Sequence, residues 1–288
     1  MIWICIPVYN NIKYTLGCLE SLQKQTYKDF KIIVCDDGST DNTSELIKQN
    51  YPEVIILNGD GNLWWAGAMN QCLKYALYRG RKNDFVLLLN NDLVVKEDYL
   101  ESFVRSIRPG EISGSMTADA ENENDIVYAG ELLDKFSARS KMIHRSFKKY
   151  EKLKEWEVDL LTGRGTLFPL HLLEQIGLMH NLLMPQYGAD VEFSVRAKNA
   201  GYKLKINKDI KVYSYVGNTG KGSVYKKSSI KDFISSFRSL RSPNYYKSRF
   251  YFAKVYTTKF WLPVFLFLQL TWVIGGFIKR SLSGVMHA

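Results

Sequence analysis

Residues 85–92 read Phe-Val-Leu-Leu-Leu-Asn-Asn-Asp, an apolar run that stops abruptly at Asn90, Asn91 and Asp92. Apolar residues without polar alternation form a strand buried on both faces, as in parallel sheets covered by helices. The polar tip then lies at a strand's carboxyl end, outside which open α/β sheets bind their ligands.

The same rhythm recurs upstream. Ile2–Val8 reads as a strand, and Ile12, Leu16, Leu19 and Leu22 follow at helical spacing. Residues 30–35 form a second apolar run, closed by an Asp-rich turn at 36–41 that opens a helix over 42–50. Residues 54–57 are a third short strand, and Met69, Cys72, Leu73, Ala76 and Leu77 mark a helical face before the fourth strand. Strand and helix in alternation predict an α/β fold with a mostly parallel central sheet and right-handed crossovers. After Pro109-Gly110 the pattern weakens: 118–125 is acidic, 139–154 basic and exposed, and 159–161 an apolar strand. A turn at Gly163-Arg164-Gly165 follows, then helices over 170–177 and 190–200, the second ended by Gly201.

The net charge of +10 is not spread evenly. Residues 221–288 hold twelve Lys or Arg against one acid, Asp232, so the preceding 220 residues are close to neutral. That tail also contains the uncharged stretch 260–278, bracketed by Lys259 and by Lys279-Arg280. Its length just reaches the ~17–25 residues that span a bilayer, but Pro263, Gln269, Gly275 and Gly276 weaken a spanning helix. Basic and aromatic residues before it suit anionic headgroups, so peripheral or monotopic attachment is expected ahead of a span or a homodimer contact. Cys5, Cys18, Cys35 and Cys72 stand singly, without the spacing of a zinc site or disulfide framework, which fits a reduced cytoplasmic setting. Met1 runs directly into a strand, so no signal peptide is read there.

Four predicted strand ends share one rim: Pro7-Val8-Tyr9-Asn10, Asp36-Asp37, Gly59-Asp60-Gly61-Asn62 and Asn90-Asn91-Asp92. A dinucleotide-binding Gly-x-Gly-x-x-Gly and a Walker loop are both missing, and no nucleic-acid recognition module is visible, so nucleic acid is not an expected partner. Hard oxygen donors without thiolates suit Mg²⁺ or Mn²⁺ completed by substrate phosphates.

Pro7-Val8-Tyr9-Asn10, Cys35 to Asp41, Leu89 to Asp92, and Tyr187-Gly188-Ala189-Asp190-Val191-Glu192-Phe193 with Arg196 and Gly201-Tyr202 resemble the ordered motifs of family-two inverting glycosyltransferases with the GT-A fold. The likeness covers about residues 2–220, and Gly61 to Asn70 is similar to the rhamnosyltransferase-like branch. It implies a GT-A catalytic domain over 1–220, with a nucleotide-binding half to 108 and an acceptor-binding half from 109, followed by a helical extension over 221–288. Pro7, Tyr9 and Asn10 would line the nucleotide pocket with Gly61, Asn62, Trp65, Asn70 and Asn91, and Asp36 or Asp37 would bond the base or ribose. Asp92 would be the metal carboxylate and Asp190 the general base. The implied donor is a nucleoside-diphosphate sugar, dTDP-rhamnose or a UDP-hexose, and the acceptor a cell-surface glycan or lipid-linked oligosaccharide. Arg164 and Lys221, each flanked by glycines, are candidates for the diphosphate contact.

Blander roles stay open at this point. Asp190 and Asp92 can cap helices, Asp36 and Asp37 can close an Asx-turn, and Trp64-Trp65 can plug the core or form a stacking wall. Glu192 and Arg196 can form a helix ion pair worth a few tenths of a kcal/mol. Three departures from the family pattern stand out. Asn90-Asn91-Asp92 replaces Asp-x-Asp, Ala189-Asp190 replaces Glu-Asp, and 212–216 lacks a histidine. A reduced carboxylate count makes an inactive, membrane-associated scaffold subunit the alternative.

Overall fold

Along β1 (Ile2–Val8) every residue is buried, and the two side-chain sets go to different cores. Ile2, Ile4, Ile6 and Val8 pack with Cys18, Leu19 and Leu22 of α1 (Ile12–Gln23), whereas Trp3 and Cys5 pack with Met69, Leu73 and Ala76 of α3 (Trp64–Arg79). That is the two-sided burial a run without alternation demands. The structure, a computed structural model, describes residues 1–134, 136–215 and 229–283.

Parallel pairing joins β1 to β2 (Phe30–Asp36) and to β4 (Phe85–Leu88), and β2 to β3 (Ile55–Asn58). With α2 (Thr43–Asn50) between β2 and β3, these strands form the parallel part of the sheet and present their carboxyl ends side by side. The second half was less legible. β5 (Leu93–Val95) and α4 (Tyr99–Ser106) lead into β6 (Glu111–Asp119), which pairs in parallel with β12 (Lys203–Ser214). β7 (Ile126–Tyr128) lies on β6, and β8 (Glu131–Asp134) with β9 (Arg139–Met142) forms a separate hairpin. β10 (Glu155–Glu157) edges β12, and β11 (Thr166–Pro169) runs antiparallel between β4 and β6. The strand expected over 159–161 is only an isolated bridge between Glu131 and Leu160. The mixed sheet, mostly parallel in its first half and flanked by helices, has the layered α/β architecture that the resemblance implies.

The predicted helices become α5 (Leu172–Ile176) and α6 (Ala189–Asn199), with Gly201 at φ 95 where a left-handed residue ends the helix. Beyond β12 come α7 (Ile230–Ser236), α8 (Tyr246–Tyr256) and α9 (Leu262–Ser283). The last two are fastened to the body of the fold. Ser248 Oγ donates to Leu183 O at 2.8 Å, Tyr256 OH to Leu133 O at 2.8 Å and Trp272 Nε1 to Ser137 O at 2.8 Å, and Phe265 is fully buried.

Candidate active site

Because β4, β1 and β2 are neighbours, their terminal loops meet at one rim, and backbone N–H groups tie these loops together. Asp37 accepts from the N–H groups of Gly61 and Trp64 at 2.9 Å each, which pins the loop before α3. Asp36 accepts from Ser39 N at 2.9 Å and from Ser44 Oγ at 2.5 Å. Asn10 Oδ1 accepts from Thr40 N at 2.8 Å. Gly59 is needed because a Cβ there would lie 2.5 Å from Asp37 Oδ1.

The rim encloses a cavity of about 640 Å³. Of the residues expected from sequence, Pro7, Tyr9, Asp37, Gly61, Trp65 and Asn91 line it. Arg164, Asp92 and Asp190 do not line it and are placed below; nor do Asn10, Asp36, Asn62 and Asn70, whose polar groups are used elsewhere. Asn10 and Asp36 are spent on the turns just described. Asn62 closes an Asx-turn on Asp60, and the buried Asn70 bonds Met179 through both its amide nitrogen and its oxygen. Lys221 lies outside the described residues. Trp64 joins the lining at φ 57, a left-handed backbone that costs a bulky residue about 1–3 kcal/mol and clusters at functional sites. Trp65 Nε1 donates to Asn90 Oδ1 at 3.0 Å, and its ring both packs against the core and, with Trp64, lines the cavity.

Behind Trp65 sit the remaining predicted groups. Gly163 lies under its ring, where a Cβ would come 2.3 Å from a ring carbon. The Gly163 N–H donates to Asp190 Oδ2 at 2.7 Å. Asp190 is not the N-cap of α6, a position held by Gly188 at φ 86 without a side-chain cap. Burial pushes the Asp190 carboxyl up, against the N–H of Gly163 and the charge of Arg164, which pull it down. Asp92 is also raised by burial and lowered by Arg164, so this one guanidinium acts on both carboxylates.

Asp92 Oδ1 is buried without a hydrogen-bond partner, an orphaned anionic oxygen of the kind a cation satisfies. Asn91 is committed to Thr15 Oγ1 at 2.9 Å, and no group of three His, Cys, Asp or Glu capable of holding a metal occurs among the described residues. One carboxylate fits Mg²⁺ or Mn²⁺ delivered with a diphosphate, since such ions take few protein ligands and complete their shell with phosphate and water. It does not fit a closed structural site.

Sequence reasoning missed two contributors, Arg241 and Glu131, and set the strength of the Glu192–Arg196 pair too low. Arg241, counted only as tail charge, reaches the cavity with its guanidinium 5.7 Å from the Trp64 ring centre. Glu131 on β8 is raised by burial and then by the charge of Asp190, so a second carboxylate from a distant strand acts on Asp190 although residue 189 is Ala. Glu192 and Arg196 form no weak surface pair: Glu192 is 0% exposed, and Arg196 grips it at 2.6 and 3.0 Å while donating to Leu178 O at 2.9 Å.

The family model for glycosyl transferase family 2 matches residues 3–177, well over half of the chain. The chain belongs to glycosyl transferase family 2. Within this family it is similar to glycosyltransferase GlyG of Streptococcus pneumoniae serotype 4, 31% identical over 113 residues, which are 38% of this chain and 35% of that protein. A longer match, 24% identical over 254 residues, covers 83% of the chain and 58% of the poly-beta-1,6-N-acetyl-D-glucosamine synthase of Staphylococcus aureus strain COL. The chain thus spans well under two thirds of these curated relatives. Among solved structures it resembles S. aureus TarS 1–349 in complex with UDP, at TM-score 0.57 and 16% identity over 100% of this chain and 92% of that one. It also resembles the mannosyltransferase PcManGT of Pyrobaculum calidifontis in complex with GDP-Man and Mn²⁺, at TM-score 0.57 and 16% identity over 99% and 79% of the two chains. At such identities the two structures speak for the fold of this family-two chain alone.

Proposed function

We propose that the protein transfers a sugar from a nucleoside diphosphate to a hydroxyl of a glycan or lipid-linked acceptor, inverting the anomeric centre, with Asp190 as general base. The observation that carries this reading is the turn at Gly163-Arg164: the Gly163 N–H bonds Asp190 Oδ2 at 2.7 Å directly against Trp65 of the cavity wall, and the Arg164 charge acts on both Asp190 and Asp92. Two carboxylates flanking one cation divide the work: one takes a proton, the other faces a polyanion.

In this reading the base and ribose enter between Tyr9, Asp37 and Trp64 and the diphosphate meets Arg241 of the lining, with Arg164 supplying charge from the turn behind Trp65. Asp92 would hold a divalent ion, whose chemistry there would be Lewis-acid neutralisation of a leaving diphosphate. Asp190 removes the acceptor proton, and its raised pKa makes it a stronger base than an ordinary aspartate. The N–H of Gly163 fixes which carboxylate oxygen is engaged and leaves Oδ1 facing its own helix turn. The first donor to test is dTDP-rhamnose, followed by UDP-hexoses.

The extension is proposed to hold the enzyme on the cytoplasmic face of the cell membrane as a peripheral or monotopic element. Helix α9 passes the length and composition test for a span over Leu262–Lys279, yet only 6% of that stretch is buried. Phe260 is 97% and Phe267 65% exposed, while Phe265 and Trp272 hold the other side of the segment to the protein. A helix fixed along one face and apolar on the other suits the membrane interface.

The direct test is a thermal-shift panel of dTDP, UDP and GDP, each with and without Mn²⁺. A ligand that binds only the native state raises apparent stability by RT ln(1 + [L]/Kd). At least one nucleotide should shift the midpoint, and more so with Mn²⁺; no shift with any of them contradicts the reading.

A further inference from the structure

A second cavity, of about 590 Å³, opens on the other side of the loop that leads into α6. Its walls come from β8 and β9, from Gly188 and Val191 around the base, and from α8 and α9 of the extension. Tyr187 lines both this cavity and the nucleotide cavity, so the two spaces share a wall next to Asp190.

The lining holds unmet polar groups of two kinds. Arg249 Nε is buried without a hydrogen-bond partner, and among the described residues Arg249 has no ion-pair partner. Among the described residues its guanidinium bonds Asn244 Oδ1 from Nη2 at 2.9 Å, and burial pushes its pKa down. Gln269 Oε1 is likewise buried and unsatisfied. Arg139 adds a second guanidinium at the wall, 4.9 Å from the centre of the Trp272 ring. An uncompensated buried cation is costly, and so is an orphaned amide. Both costs vanish if an anion that also carries hydroxyl groups fills the space. Glu131, the one acid in the lining, sits toward Asp190 and leaves the Arg249 end cationic.

We infer that this cavity is the acceptor's anchoring site and that it takes a phosphate group carried by the acceptor, with Arg249 and Arg139 as its cations and the Gln269 amide bonding an adjacent hydroxyl. The inference rests on the glycosyltransfer reading only for the word acceptor. A phosphate held there lets the attached glycan pass Tyr187 and bring a hydroxyl to Asp190. It also explains why α8 and α9 are fastened to the body of the fold: without them the cavity has no Arg249 wall.

The test is calorimetric titration of the full chain in detergent with inorganic phosphate and, separately, with octyl phosphate, after saturation with whichever nucleoside diphosphate gave the largest thermal shift. The native chain should bind both saturably. Arg249→Gln should weaken binding at least tenfold, and Arg249→Lys less. Arg139→Gln, at an exposed side chain whose loss leaves the fold intact, should weaken it at least threefold and serves if Arg249→Gln does not fold. Tighter binding of octyl phosphate than of phosphate identifies a lipid-borne group, and equal binding a phosphate within the glycan; both support the site. No saturable binding by the native chain, or binding unchanged in both variants, overturns it. The readout needs no turnover, so an inactive Asp190 assignment and an empty anion site are told apart.

Discussion

The N–H of Gly163 donates to Asp190 Oδ2 at 2.7 Å, and the next residue, Arg164, supplies the charge that draws down the carboxyls of Asp190 and Asp92. Two consecutive residues of one glycine-flanked turn thus set the geometry and the basicity of the proposed base.

The turn makes a pH prediction. Asp190 acts when ionised; burial raises its pKa and Arg164 opposes that rise, so removing the guanidinium lifts the pKa further. In Arg164→Gln the acid limb of the pH–kcat profile should move to higher pH, with weaker donor binding as well. An unmoved limb separates Arg164 from the base.

Gly163→Ala tests the wall. The added Cβ would lie 2.3 Å from the Trp65 ring, so the ring or the turn must shift while the fold survives. Displacing a positioning group by about 1 Å costs up to about 10²-fold, and the loss should appear in steady-state kinetics as reduced kcat/KM for the donor.

Arg196→Met should leave the fully buried Glu192 without its partner and lower stability by about 3–5 kcal/mol in denaturant unfolding. The double variant Glu192→Gln with Arg196→Met should recover part of that loss, since no uncompensated charge remains. A single variant as stable as the native chain would show that the pair does not anchor α6 to the 176–178 segment.

Phe260→Ser combined with Phe267→Ser removes two exposed apolar side chains and nothing from the core. Co-sedimentation with vesicles containing phosphatidylglycerol should fall severalfold while the melting curve stays unchanged. Equal sedimentation would place the outer face of α9 against something other than lipid.

Much of the first hundred residues was legible because β1, β2 and β4 are buried on both faces and spell that burial as unbroken apolar runs. β6 has the same burial but hides it. Its Ser113, Ser115 and Thr117 are buried polar residues, and Ser115 is accommodated by bonds to Tyr99 OH at 2.8 Å and Gly165 O at 2.9 Å, partners invisible to periodicity. The run at 159–161 misled because burial under the helices, and not strand pairing, explains its apolar character. At the site, motif residues on the rim were found, but their division into lining and framework depended on which oxygens the backbone N–H groups had already taken. Arg241, Arg249 and Glu131 carried no local signal, since each reaches its cavity from an element remote in sequence.

The most direct measurement is turnover by Asp190→Asn, read as nucleoside diphosphate released from the best-binding sugar donor in the presence of a lipid-linked oligosaccharide fraction. The asparagine oxygen can keep the Gly163 bond, so nucleotide binding and the melting curve should be unchanged while release falls by about 10²–10⁴-fold, the usual contribution of a general base. Release at the native rate would contradict the assignment of Asp190 and, with it, the catalytic account.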